Sequence, residues 1–198
     1  MAVDIASIKR MRELTGVGMT DAKKALEEAD GDFDKALEAM RKKGLTKAEK
    51  KGEREAREGI IDSYVHSNRI GVLVEVNCET DFASHTEGFR ELVHDIALHI
   101  SASAPEYVSV SDVPTEEQDR VTAELRDKAT TEGKPADMID KIVEGQVKKH
   151  FAEKCLLEQP FIKNPDQTVG ELVKEGIAKL GENIVVRRFS RIALGEVN

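Results

Sequence analysis

The sequence predicts an α+β protein: a small helical bundle, a charged tether, and a core in which an antiparallel sheet packs against helices. Three observations carry the prediction. Apolar residues recur at helical spacing in three short runs through residues 1–44. The period changes to two in "IIDSYVH" and "RIGVLVEVN", between Ile60 and Asn77, and "NIVVRRFSRIAL", from Asn183 to Leu194, is β-rich. Long helical patterns fill the interval between these strands, an order that places helices against a mainly antiparallel sheet. The divisions expected are 1–44, 45–58 and 59–198.

In the first helix Ile5, Ile8, Met11 and Leu14 recur every third residue and are expected to form one apolar stripe. Gly16 and Gly18 in "TGVGM" tolerate the dihedrals of a tight turn. Thr20 is placed as the N-cap of a second helix, whose Ala22, Ala25, Leu26 and Ala29 follow i, i+3, i+4, i+7. After "DGD" the same spacing returns in Phe33, Ala36, Leu37 and Met40. Arg41, Lys42 and Lys43 then suit the negative end of the helix dipole, before Gly44. The Ala-rich faces favour close packing, and the module carries no evident catalytic group, so what it offers is a surface. Residues 45–58, "LTKAEKKGEREARE", are almost wholly charged and read as a solvated helix or tether.

Ser67 and Asn68 are expected to turn the first hairpin. On its second strand Ile70, Val72, Val74 and Val76 share one face, with Gly71, Leu73, Glu75 and Asn77 on the other. Ser84-His85-Thr86-Glu87 has the form of a capping box. A helix is therefore expected to start near residue 85 and to bury Phe89, Leu92, Val93, Ile96, Ala97 and Ile100. That leaves Thr80-Asp81-Phe82-Ala83 as a polar connector. "APEYVSVSDVP" reads as a loop. Thr115 and Gln118 are expected to cap a mostly solvated helix with a thin stripe of Val121, Leu125 and Ala129. "EGKP" ends it, and Met138, Ile139, Ile142, Val143 and Val147 lead the next helix to Phe151. Pro160 and Pro165 bracket an extended "FIKN". Thr168 and Glu171 box the last helix (Leu172, Val173, Ile177, Leu180), Gly181 ends it, and the closing strand is expected to pair with the hairpin.

Composition narrows the function. Charged residues make up 34% of the 198, and the net charge of −8 argues against a general nucleic-acid binder. An acidic protein acting on nucleic-acid machinery is expected to touch a protein partner instead. No apolar run approaches a membrane span, and "MAVDIASIKRMREL" lacks the apolar core of a secretory leader, so a cytoplasmic location is expected. Cys78 and Cys155 lie far apart without C-x-x-C spacing, which fits a reducing compartment and neither a disulfide scaffold nor a zinc site.

The chemistry-bearing residues are few. His66, His85, His94, His99 and His150 form no H-x-x-x-H and read as solvated side chains, so no metal is expected. Neither G-x-x-x-x-G-K-[ST] nor G-x-S-x-G occurs. No cofactor is expected. Cys78 follows an apolar strand and reads as a packed cysteine; a thiol nucleophile is the rival, but His85 brings no third partner. The three-helix module alone would suit a ubiquitin-like or nascent-chain-binding adaptor. Phe82 has two readings: a staple folded back on the following helix, or an exposed aromatic anchor for a pocket on a partner. Asp81 beside it is either a second cap or a charge aimed at that partner.

The segments "LTGVGMTDAKKALEEADGDFDKALEAMRKKG", "VEVNCETDF", "EQPFI", "TVGELVKE" and "LGENIVVRRF", in this order, resemble the elongation factor Ts family over nearly the whole chain. The resemblance implies a guanine nucleotide exchange factor for elongation factor Tu, acting by binding and not as an enzyme. It also implies that residues 1–44 are similar to ubiquitin-associated (UBA-like) domains. Thr80, Asp81 and Phe82 correspond to the family's exchange signature, whose phenylalanine wedges between helices of the GTPase domain and displaces elements holding Mg²⁺ and phosphate. Gly18 and Met19 correspond to an amino-terminal contact with the GTPase, and His66 to a core histidine near the interface. Two features depart from the pattern. Ala83 stands where valine is frequent, and the core is present once, whereas long members carry it twice. A homodimer is therefore expected, with no direct nucleic-acid or membrane contact.

Overall fold

The computed structural model describes residues 4–15, 17–40, 51–135 and 138–196. Helix α1 (Ile5–Thr15), α2 (Met19–Glu28) and α3 (residues 33–40) enclose a small core of Ile8, Met11, Ala22, Ala25, Leu26, Ala36 and Met40. Alanine at the contacts lets the helices approach closely. The expected stripe on α1 is only half correct: Ile8 and Met11 are buried, whereas Ile5 and Leu14 are 65% and 48% exposed. Geometry explains it, because a strict three-residue step slips about 60° around a 3.6-residue helix each time. The first and last members therefore face opposite sides.

The N-cap of α2 is Gly18, in extended conformation, and not Thr20. Its carbonyl accepts from the Ala22 N–H at 2.9 Å, so the helix begins before Thr20 is reached. The basic end expected at Arg41, Lys42 and Lys43, with Gly44 and with residues 45–50 of the tether, lies outside the described residues, as does Gly16. The described end of the tether is docked. Ala56 is buried, and the Asn183 Nδ2 donates to the Arg54 carbonyl at 2.6 Å and the Gly52 carbonyl at 3.3 Å.

From there the chain runs β1 (Glu58–His66), β2 (Ile70–Cys78), the single turn α4 (Asp81–Ser84), α5 (Glu87–Ser103), α6 (Thr115–Thr131), α7 (Ile139–Lys154), β3 (Pro160–Phe161), β4 (Asn164–Thr168), α8 (Val169–Leu180) and β5 (Ile184–Ala193). β2 is the middle strand of an antiparallel sheet ordered β1-β2-β5. Ser67 and Asn68 both adopt positive φ at the hairpin, as mirror-image turns require. Pairing resumes at Ile70, one residue later than a two-residue loop would allow. Gly59 is required where β1 begins: a Cβ there would lie 2.2 Å from the Val76 carbonyl oxygen, at a φ of 146°.

Val72, Val74 and Val76 face inward onto Phe89, Val93, Ile96 and Ile100 of α5, with Val173 and Ile177 of α8 completing the core. β5 carries a bulge: Val186 pairs with Val76 and Arg188 with Glu75, leaving Arg187 as the extra residue. This is why "VVRRFSR" breaks strict alternation, with Arg187 and Arg188 both exposed.

Several boundaries differ from expectation. α5 is capped by Thr86, whose hydroxyl accepts from the Phe89 N–H at 3.3 Å; Ser84 instead closes α4. α6 starts on Pro114, whose carbonyl accepts from the Glu117 and Gln118 N–H groups, so Thr115 is already helical. "FIKN" is the tip of the β3–β4 hairpin and not one extended segment. The box on α8 forms as expected, with Thr168 and Glu171 each accepting from the other's backbone N–H, and Gly181 ends the helix at a φ of 79°. No described helix is long and apolar enough to cross a membrane.

The histidines are not all solvated. His99 is fully buried. Its Nδ1 accepts from the Ile162 N–H at 3.2 Å, which leaves Nε2–H to donate to the Gln159 Oε1 at 2.9 Å. The Gln159 amide in turn donates to the Glu153 carbonyl at 2.7 Å. This chain ties α5, the end of α7 and the β3–β4 hairpin together through a neutral imidazole. Burial pushes the His99 pKa down, partly opposed by Gln159.

The depressed value means that the unfolded chain takes up a proton before the folded one does. The stabilisation is fully present above about pH 6.5, the ordinary imidazole value, and is lost as pH falls below it. Urea midpoints at pH 7.5 and 5.5 are expected to show lower stability at the acidic value, with a smaller pH difference in His99→Gln. An equal pH difference in the two proteins would contradict this account.

Candidate functional site

The Thr80-Asp81-Phe82 segment sits where β2 leaves the sheet. Cys78 is buried at the end of that strand, and its Sγ donates to the Thr80 carbonyl at 3.1 Å. Thr80 is an N-cap: its backbone is extended, and its hydroxyl accepts from the Ala83 N–H at 3.3 Å. The expected polar connector is thus one helical turn, with Thr80, not Asp81, as its cap.

This turn has an inner and an outer side. Ala83 and Ser84 are buried, while Asp81 and Phe82 are exposed, Phe82 to 81%. The far end is closed by side chains. Ser84 Oγ and His85 Nδ1 approach the Asp81 carbonyl at 2.6 and 2.7 Å, and the Thr86 hydroxyl donates to the Ala83 carbonyl at 2.7 Å. Phe82 is therefore no staple on α5. That interior position belongs to Phe89, which is fully buried.

The other expected site residues lie elsewhere. Gly18 and Met19 are adjacent and exposed at the start of α2, and a Cβ added to Gly18 would meet nothing nearer than the Asp21 Oδ2 at 4.0 Å. His66 closes β1 at the hairpin tip, exposed, with Nδ1 3.1 Å from the Tyr64 hydroxyl. β1 starts at Glu58, opposite Cys78, and ends at His66. Eight residue steps at a strand's rise put His66 roughly 26 Å along the sheet from the β2 end that leads to Phe82. The structure joins Thr80, Asp81 and Phe82 into one surface and does not bring His66 to it.

Residues that the sequence reading passed over hold the turn in place. The Glu182 carboxylate accepts from the Thr80 hydroxyl at 2.7 Å and from the Thr80 N–H at 3.1 Å. The Asn183 N–H donates to the Glu79 Oε1 at 2.6 Å, and Glu79 pairs with Arg54 at 3.5 Å. The available signal was a polar pair held between the helix-ending Gly181 and an apolar strand, but nothing local names its partner.

Neither thiol resembles a nucleophile. Burial, reinforced by Glu182, pushes the Cys78 thiol up, and burial pushes Cys155 up to about 11. Both are free and fully buried. His85, the nearest histidine in sequence to Cys78, spends its Nδ1 on backbone and Ser84 contacts.

The family model described as "Elongation factor TS" matches residues 5–196. Elongation factor Ts of Carboxydothermus hydrogenoformans is 55% identical over 190 residues, covering 96% of this chain and 88% of the relative. Elongation factor Ts of Moorella thermoacetica is 54% identical, covering 96% and 95%. That of Caldanaerobacter subterraneus subsp. tengcongensis is 52% identical and covers 98% of each. With the exposed Phe82 turn set on an α+β core, and a family match from the first helix to the last strand, the chain belongs to the elongation factor Ts family.

Proposed function

We propose that the protein is a guanine nucleotide exchange factor for elongation factor Tu and that Phe82 is its anchor. The observation that carries the reading is the exposure of Phe82 on a turn whose neighbouring side chains are buried and hydrogen-bonded. An aromatic held in this way is expected to fill an apolar pocket on the GTPase, with Asp81 beside it. The Mg²⁺ of the bound nucleotide demands near-ideal octahedral geometry, so a small displacement of its surroundings removes much of its binding energy. Exchange of this kind needs neither proton transfer nor a covalent intermediate. Linkage makes it reciprocal: nucleotide loosened by the factor loosens the factor equally. Residues 1–44 would act as a separate contact module offering Gly18 and Met19, with 45–58 as its tether and 59–198 as the exchange core. A cytoplasmic setting follows from the translational role.

The second partner is another copy of this chain. The sheet face turned away from α5 exposes Ile61, Val65, Leu73 and Ile192, with Val65, Gly71 and Ile192 in one row across three strands. Glu75 and Arg188, 2.7 Å apart on the same face, offer a charge pair that a two-fold axis would repeat. A core present once leaves this face for the surface that long family members supply within one chain.

Phe82→Ala is expected to change stability by no more than about 0.5 kcal/mol, as surface substitutions usually do. Phe89→Ala is expected to cost about 3 to 5 kcal/mol. Release of labelled GDP from elongation factor Tu should show the reverse order. An interface anchor is worth roughly 2 kcal/mol or more, and about 1.4 kcal/mol is tenfold, so Phe82→Ala should lose at least about tenfold, with a smaller loss in Asp81→Ala. An early-melting Phe82→Ala that still exchanges normally would overturn the reading. Light scattering at micromolar concentration should return the dimer mass for the parent and the monomer mass for Leu73→Asp. Monomer mass for the parent, alone and in complex, would exclude the homodimer.

A further inference from the structure

We propose that Glu182 is a positioning residue for the exchange turn: its carboxylate fixes Thr80 and thereby sets the direction in which Phe82 leaves the surface. The inference rests on the exchange reading above. α4 is a single turn of four residues, and a helix that short has no stability of its own, since the nucleus costs more than its few hydrogen bonds return. Its order must come from the burial of Ala83 and Ser84 and from the side chains that close its ends.

At the N-terminal end the controlling atom is the Thr80 hydroxyl. A hydroxyl has one hydrogen and two lone pairs. Donation to the Glu182 Oε1 at 2.7 Å commits that hydrogen and turns the lone pairs toward the Ala83 N–H, which they accept at 3.3 Å. The second carboxylate oxygen accepts from the Thr80 N–H at 3.1 Å, so backbone and side chain of the cap are held by one group. Phe82 lies between the cap and the Ala83 amide that the cap binds.

The location of Glu182 needs such a reason. It follows Gly181 at the C-terminal end of α8, where a helix dipole disfavours a negative charge. The Lys51 ammonium donates to the Gly181 carbonyl and supplies the cation expected there. Glu182 is then free of any helix-capping duty, and its two bonds reach a residue 102 positions earlier in the chain. Asn183 extends the same contact to the tether by binding the Gly52 and Arg54 carbonyls, so the end of the tether and the exchange turn are held by adjacent residues.

The test compares Glu182→Ala, Glu182→Gln, Thr80→Val and Phe82→Ala by stimulated GDP release from elongation factor Tu, at a temperature where each is fully folded. Hydrogen exchange at the Ala83 amide is followed in parallel. Glu182→Ala is expected to raise Ala83 exchange and to lower GDP release about fivefold, the scale on which losing a helix N-cap acts. Glu182→Gln keeps one acceptor and should fall between Glu182→Ala and the parent. Combining Glu182→Ala with Thr80→Val should lose little beyond Thr80→Val alone. A purely structural role for Glu182 leaves GDP release unchanged in the folded variant, and that result, or an unchanged Ala83 amide, overturns the inference. Strictly additive losses with Thr80→Val also overturn it. Phe82→Ala releasing GDP at the parent rate overturns the exchange reading instead, a separate outcome from any seen at Glu182.

Discussion

The burial of one face of β2 against α5 is the contact on which the rest of the core depends. β2 is the only strand of the three-stranded sheet with partners on both edges, and Val72, Val74 and Val76 are nearly or wholly inaccessible. A slip of one residue in its register would turn those valines outward and bring Leu73 and Glu75 in. The same register fixes where β2 ends. Cys78 lands inside, Thr80 lands at the rim, and the next turn emerges with Phe82 outermost. The placement of a surface aromatic is thus decided by valines six to ten residues before it.

Exposure and order coexist at Phe82 because different residues provide them. Ala83 and Ser84 anchor the turn to the core, and polar side chains close its ends. None of the described residues covers the ring, so its exposure adds little to stability and little would be lost by removing it. A backbone already held leaves only two side-chain torsions to be fixed on docking, which lowers the entropic cost of binding.

What could be read from the sequence was what is local and periodic. The alternation of β2, the stripe of α5 and the box on α8 each declare themselves within a few residues, and the closing strand follows from its β-branched composition. α4 was hidden because four residues show no period, so its last residue, Ser84, was read as the cap of the next helix. His99 falls three residues after Ile96, within the inward face of α5, yet its partner Gln159 is 60 positions away and a solvated reading was the natural one. The same separation hid Glu182. The bulge at Arg187 shows only as two adjacent arginines until the register to β2 is known. Phe82 could be picked out as unusual, but setting the staple reading aside required seeing that the ring is exposed.

The long reach of the contacts made by Glu182 and β5 sets an order of events during synthesis. Residues 58–84 emerge from the ribosome with the hairpin and the Phe82 turn complete in sequence, but the middle strand has one edge unpaired and Thr80 lacks its bonds to Glu182. No fragment ending before residue 182 has a group at that position to hold Thr80, and none ending before Ile184 has the third strand. Contacts so distant in sequence form late. A prematurely ended chain therefore carries its aromatic on a turn without the Glu182 bonds, beside an open strand edge that invites pairing with other chains.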